Sequence, residues 1–154
     1  MSCPVPAPTG DPPVDPRGVR FTAAVTSVVL ALTLLSGSGW LLAAQGVAFA
    51  LGAFAGLRFS PYAVAFRVLI APRLGAPSTR EPAGPVRFSQ TLGFAFTVIG
   101  TAGYLTGLTV VGIVATAFAL VAALLNAAFG FCLGCQLHAL IARIHPSDNE
   151  GAIA

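Results

Sequence analysis

Cys132-Leu133-Gly134-Cys135 is the one pairing among the three cysteines whose spacing lets two sulfurs meet. Such a C-x-x-C pair supports thiol–disulfide exchange. A thiol near a helix N-terminus loses its proton readily, and the thiolate is the nucleophile. Gly130 is placed to break the preceding apolar run, which leaves Cys132 close to a fresh helix start. Cys132 is then the attacking thiol and Cys135 the resolving one, and a thiolate there also accepts a persulfide sulfur. His138 is a subsidiary candidate for activating a thiol. Metal binding is the second chemistry. Cys132, Cys135 and His138 stand at i, i+3 and i+6, along one stripe of a helix. Structural zinc takes four N or S ligands, and only Cys3 remains to complete the set. A c-type haem needs His directly after the second Cys. Gln136 stands there, so haem is set aside and no cofactor is expected. The plainest alternative is two small thiols packed in a helix interface.

The elements that carry these residues can be read from the distribution of charge. Hydrophobic residues make up 56% of the 154 residues and charged ones only 8%, against about 25% charged in soluble globules. Residues 21–57 and 88–142 hold no Asp, Glu, Lys or Arg. A membrane-crossing helix needs roughly 20 apolar residues, so each stretch accommodates a hairpin of two spans. The fold class expected is all-α, an integral membrane four-helix bundle.

Its parts read in order. Residues 1–19 are a polar, Pro-rich tail, expected to be disordered and cytoplasmic; no basic start or early apolar core marks a cleavable signal. Residues 20–57 form transmembrane hairpin 1, with spans at 21–35 and 40–57 about the turn Ser36-Gly37-Ser38-Gly39 and Trp40 at the membrane–water interface. Residues 58–85 hold an amphipathic interfacial helix, ended by Pro72, and a flexible linker. Residues 86–129 form hairpin 2, with spans at 88–105 and 108–129. Residues 130–144 are a short C-x-x-C helix and 145–154 a polar tail. Shifting the chain by 67 residues lays Val19-Arg20-Phe21 on Val86-Arg87-Phe88, and Ala48 and Ala50 on Ala115 and Ala117. We read a duplicated hairpin. Two spans per unit make the copies parallel repeats.

Topology is set by the eight arginines; there is no lysine. Arg17 and Arg20 precede span 1, Arg58, Arg67, Arg73, Arg80 and Arg87 lie between spans 2 and 3, and Arg143 comes after span 4. With four spans all eight fall on one side, which the positive-inside rule makes cytoplasmic, with both termini. Cys132 and Cys135 then sit at the cytoplasmic interface, roughly 36 Å of helix from Leu108. Within the spans no ionisable group is present, which argues against an ion-coupled transporter. Gln45, Gln90 and Asn126 are expected to make interhelical hydrogen bonds. Gly52-xxx-Gly56 and Gly103-xxx-Gly107 have the spacing for close helix approach, within the bundle or between copies in a homo-oligomer.

DPRGVRF at Asp15–Phe21, LRFSPY at Leu57–Tyr62 and LNAAFGFCLGC at Leu125–Cys135 resemble domain-of-unknown-function family 4395, over about residues 14 to 144. The resemblance implies a small, four-span, largely actinobacterial plasma-membrane protein. It loosely implies thioredoxin-like or sulfurtransferase partners. Gln136 stands where Glu is expected, which disfavours a hard metal ion there. The expected function is thiol or sulfur transfer at the cytoplasmic face with such a partner, and no nucleic acid is expected to bind. The alternative is a non-catalytic membrane subunit that anchors a larger complex.

Overall fold

A computed structural model describes residues 12–144 of the chain, and they are all-α, without a strand. Cys3, residues 1–11 of the expected N-terminal tail and the expected tail 145–154 lie outside the described residues. Helix α1 spans Pro16–Ser36. Helix α2 spans Gly39–Ala50 and runs on as a π-helical turn, Leu51–Ala55. A 3₁₀ turn, Leu57–Phe59, leads to α3 (Pro61–Ala65), a π-helical turn (Phe66–Ile70) and α4 (Ala71–Leu74). Then come α5 (Ala83–Leu105), α6 (Thr109–Phe129) and α7 (Leu133–Ile144).

The helix boundaries have local causes. Helix α1 begins five residues ahead of the expected span, because Asp15 caps it: its carboxylate accepts the Arg17 N–H at 2.9 Å, and Pro16 comes next in the first turn. Pro is pre-organised for that position and has no N–H to satisfy. The start is also tied down. Val14 and Glu81 exchange both backbone hydrogen bonds, at 2.8 and 2.9 Å, and the Arg17 guanidinium reaches the carbonyls of Leu74 and Gly75. Residues 14–19 and part of the expected loose linker are therefore ordered. Pro72 does not end the interfacial segment. The π-helical turn before it resets the register, Pro72 occupies the first turn of α4, and Gly75 with φ 69° terminates the run.

Helix α1 packs most extensively on α6, and α5 on both α2 and α6. The interior is small and polar. Leu30, Leu42 and Ala119 form its apolar centre. Thr26, Thr33, Gln45, Thr97 and Thr116 are buried beside them. Three of the hydroxyls return to the helix backbone: Thr33 donates to Val29 O at 3.0 Å, Thr97 to Phe94 O at 2.8 Å and Thr116 to Gly112 O at 2.7 Å. Gln45 links helices as expected. Its amide donates to Thr26 Oγ1 at 3.4 Å, and Tyr62 donates to its carbonyl at 2.6 Å. The large apolar side chains point the other way: Leu35 is 85% exposed, Trp40 75% and Phe129 79%.

In each of the two small-residue pairs the first member makes a close packing contact. A Cβ on Gly103 would lie 2.6 Å from the Gly112 backbone nitrogen, and Gly52 receives the Gln90 side chain. Gly56 and Gly107 have φ of 113° and 84° and serve chain reversal instead. The α5–α6 approach predicts that Gly103→Ala costs about 1–3 kcal/mol of overpacking. Ala102→Val on the exposed flank should leave the unfolding midpoint in detergent unmoved; equal midpoints for both variants would contradict the packing.

Candidate functional site

Helix α6 ends where Gly130 turns left-handed, with φ 66°. The Gly130 N–H bonds Asn126 O at 3.0 Å and the Phe131 N–H bonds Leu125 O at 3.3 Å, a closure that satisfies the last carbonyls. The Arg20 guanidinium adds hydrogen bonds to Ala127 O and Ala128 O, both 3.3 Å. The chain thus leaves α6 sharply and restarts as α7, which packs back on α5.

Cys132 stands at the cap position of that restart. Its carbonyl accepts the Gln136 N–H at 3.1 Å and its Sγ accepts the Cys135 N–H at 3.4 Å. This is the arrangement of an N-cap side chain, with sulfur in place of the usual oxygen. A helix N-terminus favours negative charge. The expectation that Cys132 lies at a fresh helix start therefore matches its position. No disulfide joins it to Cys135, which is buried.

The third partner was not legible in the sequence. Ser89, on the second turn of α5, places Oγ 2.9 Å from Cys132 Sγ and 4.0 Å from Cys135 Sγ. It also reaches Pro85 O at 3.1 Å. A hydroxyl has one proton. With a neutral thiol it goes to Pro85 O and the thiol donates to Ser89; with a thiolate it rotates onto the sulfur. Ser89 can approach because Gly134 lies over it. A Cβ on Gly134 would come within 2.8 Å of Ser89 Cα, so the second intervening residue of the C-x-x-C must be Gly.

These donors decide the charge state. The Cys135 thiol donates to Cys132, burial opposes, and the Ser89 hydroxyl and the N–H groups of Cys135 and Gly134 add to the first effect. The Cys132 thiol is lowered to about 6, against roughly 8.5 for an ordinary Cys. Cys132 is therefore mostly thiolate at neutral pH.

The His138 ring packs edge-on against Phe88, centroids 5.5 Å apart. Among the described residues no three His, Cys, Asp or Glu side chains gather to hold an ion; Cys3, the fourth ligand of the metal alternative, lies outside them. Gln90 and Asn126 stand in the wall of a cavity of about 480 Å³ that also includes Cys132.

Alkylation of Cys132 should rise with pH through a midpoint near 6. Below it the thiol is protonated and slow; above it the thiolate reacts. Ser89→Ala removes one donor to the thiolate, so its midpoint should move towards roughly 8.5. A wild-type midpoint already at that value would remove the special status of Cys132.

No curated protein and no solved structure matches the chain. The family described as a domain of unknown function, DUF4395, matches residues 14–143, nearly the whole described chain, and the protein belongs to that family.

Proposed function

We propose that the chain is a multi-pass protein of a bacterial plasma membrane that takes part in thiol–disulfide or sulfur transfer at the cytoplasmic face through Cys132 and Cys135. The membrane part of this reading has several supports. Helices α1 and α6 are long and apolar enough to cross a bilayer. Helix α5 has 23 residues. Gly39–Ala55, at about 1.5 Å per residue, reaches roughly 25 Å, a few ångströms short of the hydrocarbon thickness and within what local thinning accommodates. Large apolar residues outside and hydroxyls inside are the packing expected where lipid, not water, is the surrounding medium. Four spans bring the arginines to one side, with both termini cytoplasmic.

The duplication into two parallel hairpin repeats draws support from paired contacts. Arg20 on the first helix of one hairpin caps the end of α6 in the other. Arg87 on the first helix of the second reaches Ala53 O, at 3.2 and 2.8 Å, near the end of α2. The short segment after each hairpin also folds back on that hairpin's first helix. Phe66 lies against Gly18 and, with ring centroids 5.7 Å apart, against Phe21, as Gly134 lies on Ser89.

The observation that carries the chemistry is the Cys132 sulfur at the start of α7, surrounded by the Cys135 thiol, the Ser89 hydroxyl and a helix N–H. In the exchange, the Cys132 thiolate attacks a partner disulfide and one partner thiolate leaves. Cys135 loses its proton and attacks the Cys132 sulfur. The partner departs as a dithiol and this pair is left as a disulfide. A dithiol protein of thioredoxin type returns it to the reduced state. With a rhodanese-like persulfide the Cys132 thiolate instead takes the outer sulfur and the donor leaves as a thiolate. The second reading, a non-catalytic subunit of a larger complex, is favoured by the tight Gly134–Ser89 contact, which treats Cys135 as packing, and by the exposed apolar residues Leu140, Ile141 and Ile144 of α7.

Cys135→Ser should accumulate a mixed disulfide between Cys132 and its partner, while Cys132→Ser should trap nothing. Membrane-impermeant maleimide should reach Cys132 from the cytoplasmic face only. If the double Cys→Ser variant keeps every partner and phenotype, the subunit reading replaces this one.

A further inference from the structure

The cavity beside Cys132 has a second, independent character. It opens among α1, α5, α6 and the segment between α2 and α3, with a volume of about 480 Å³, inside the range of small-molecule sites. Its interior wall is apolar, with Phe49, Phe96 and Ala119. Arg58, Arg67 and Arg80 also line it, and all three are exposed. Asp15 is the one carboxylate among its lining residues, and Arg17 already holds it at 3.1 Å. Arg58 stacks on Phe59 at 4.7 Å, and Arg67 donates to Arg58 O at 3.3 Å. Among the described residues no carboxylate forms an ion pair with either arginine. Ser60, in the same wall, is 2% exposed, and its hydroxyl has no hydrogen-bond partner. A buried polar group without a partner is costly, and an anion's oxygen in the cavity would satisfy it.

We propose that this cavity binds an amphipathic anion, a single apolar chain carrying a phosphate or carboxylate head, with the head on Arg58 and Arg67, reaching towards Ser60, and the chain against Phe49 and Phe96. Charge and shape together select it. The Arg58 and Arg67 guanidinium groups attract an anion and bind its oxygens in pairs; the apolar depth selects a chain over a soluble phosphoester. The site goes beyond the thiol reading and stands whether or not Cys132 is reactive.

The test is equilibrium binding of 1-oleoyl-lysophosphatidate to the full chain in nonionic detergent, beside mono-oleoylglycerol (chain without charge) and glycerol 3-phosphate (charge without chain). Lysophosphatidate should bind at least about tenfold tighter than either. The Arg58→Gln, Arg67→Gln double variant should lose about tenfold or more, while Arg143→Gln on α7 keeps wild-type affinity. Ser60→Ala, which leaves the arginines intact, should weaken binding without lowering the ligand-free unfolding midpoint, because its hydroxyl has no partner to lose. Equal binding of mono-oleoylglycerol would reduce the site to an apolar void, and equal binding of glycerol 3-phosphate to a soluble-anion site. Unchanged affinity in the double variant, or a lowered midpoint in Ser60→Ala, would each overturn the assignment.

Discussion

The structure depends on one constraint: a polar group buried between these helices needs a partner within the fold. The outward faces are lined by Leu35, Val110, Phe118 and Phe129, so hydroxyls, amides and helix-end carbonyls must find partners inside. A buried polar group left without a partner costs about 1–3 kcal/mol. Several otherwise unrelated features answer this one need. Thr33 and Thr116 bond back to their own helices. Gln45 is held by Thr26 and Tyr62. Arg87 reaches Ala53 O where the π-helical turn ends α2, and Arg20 covers the last carbonyls of α6. The arginines thus join each hairpin to the other at the end where the chain leaves the bundle.

The thiol site arises from the same requirement. Helix α6 must close its carbonyls, and Gly130 does so through a sharp turn. The turn starts α7 with its own orphan N–H groups, and Cys132 is the side chain in position to accept one. Its sulfur is then half-buried between α7 and α5. Burial alone disfavours a thiolate. The net lowering of Cys132 therefore requires that its donors outweigh burial: the Cys135 thiol contributes most, and Ser89, reached because Gly134 lets α7 come down on α5, adds to it. A thiol present only to fill space needs no donors. Cys135, buried and giving its proton to the neighbouring sulfur, combines packing with support of that charge.

Local features are legible in the sequence. The charge-free runs locate four helices to within a few residues at their far ends, since Gly37 and Gly107 are turn residues by chemistry. Gly130 marks the break before the C-x-x-C for the same reason. The near ends are harder to read. Arg17 and Arg20, being charged, read as preceding span 1, yet Asp15 and Pro16 start a helix that takes both arginines into its first turns. Ser89 is illegible. It lies 43 residues before Cys132, and only the return of α7 onto α5 brings them together. No pattern along α5 distinguishes it from a serine that merely bonds back to Pro85. The cavity is illegible too, because its wall draws on residues from Pro12 to Gly134.

If the halves are copies, their differences divide the labour. The shift that lays Arg20 on Arg87 lays Thr22 on Ser89, so a hydroxyl stands on the first helix of each hairpin. It lays Ala65 and Val68 on Cys132 and Cys135. The first copy therefore holds the hydroxyl without the thiols, and Thr22 is buried in the cavity wall. In place of sulfur its short segment carries Arg58 and Arg67, while the segment after the second hairpin has a single arginine, Arg143, at its far end. The same fold-back, built once around Phe66 and once around Gly134, thus presents cations at one end of a shared cavity wall and a thiolate at another.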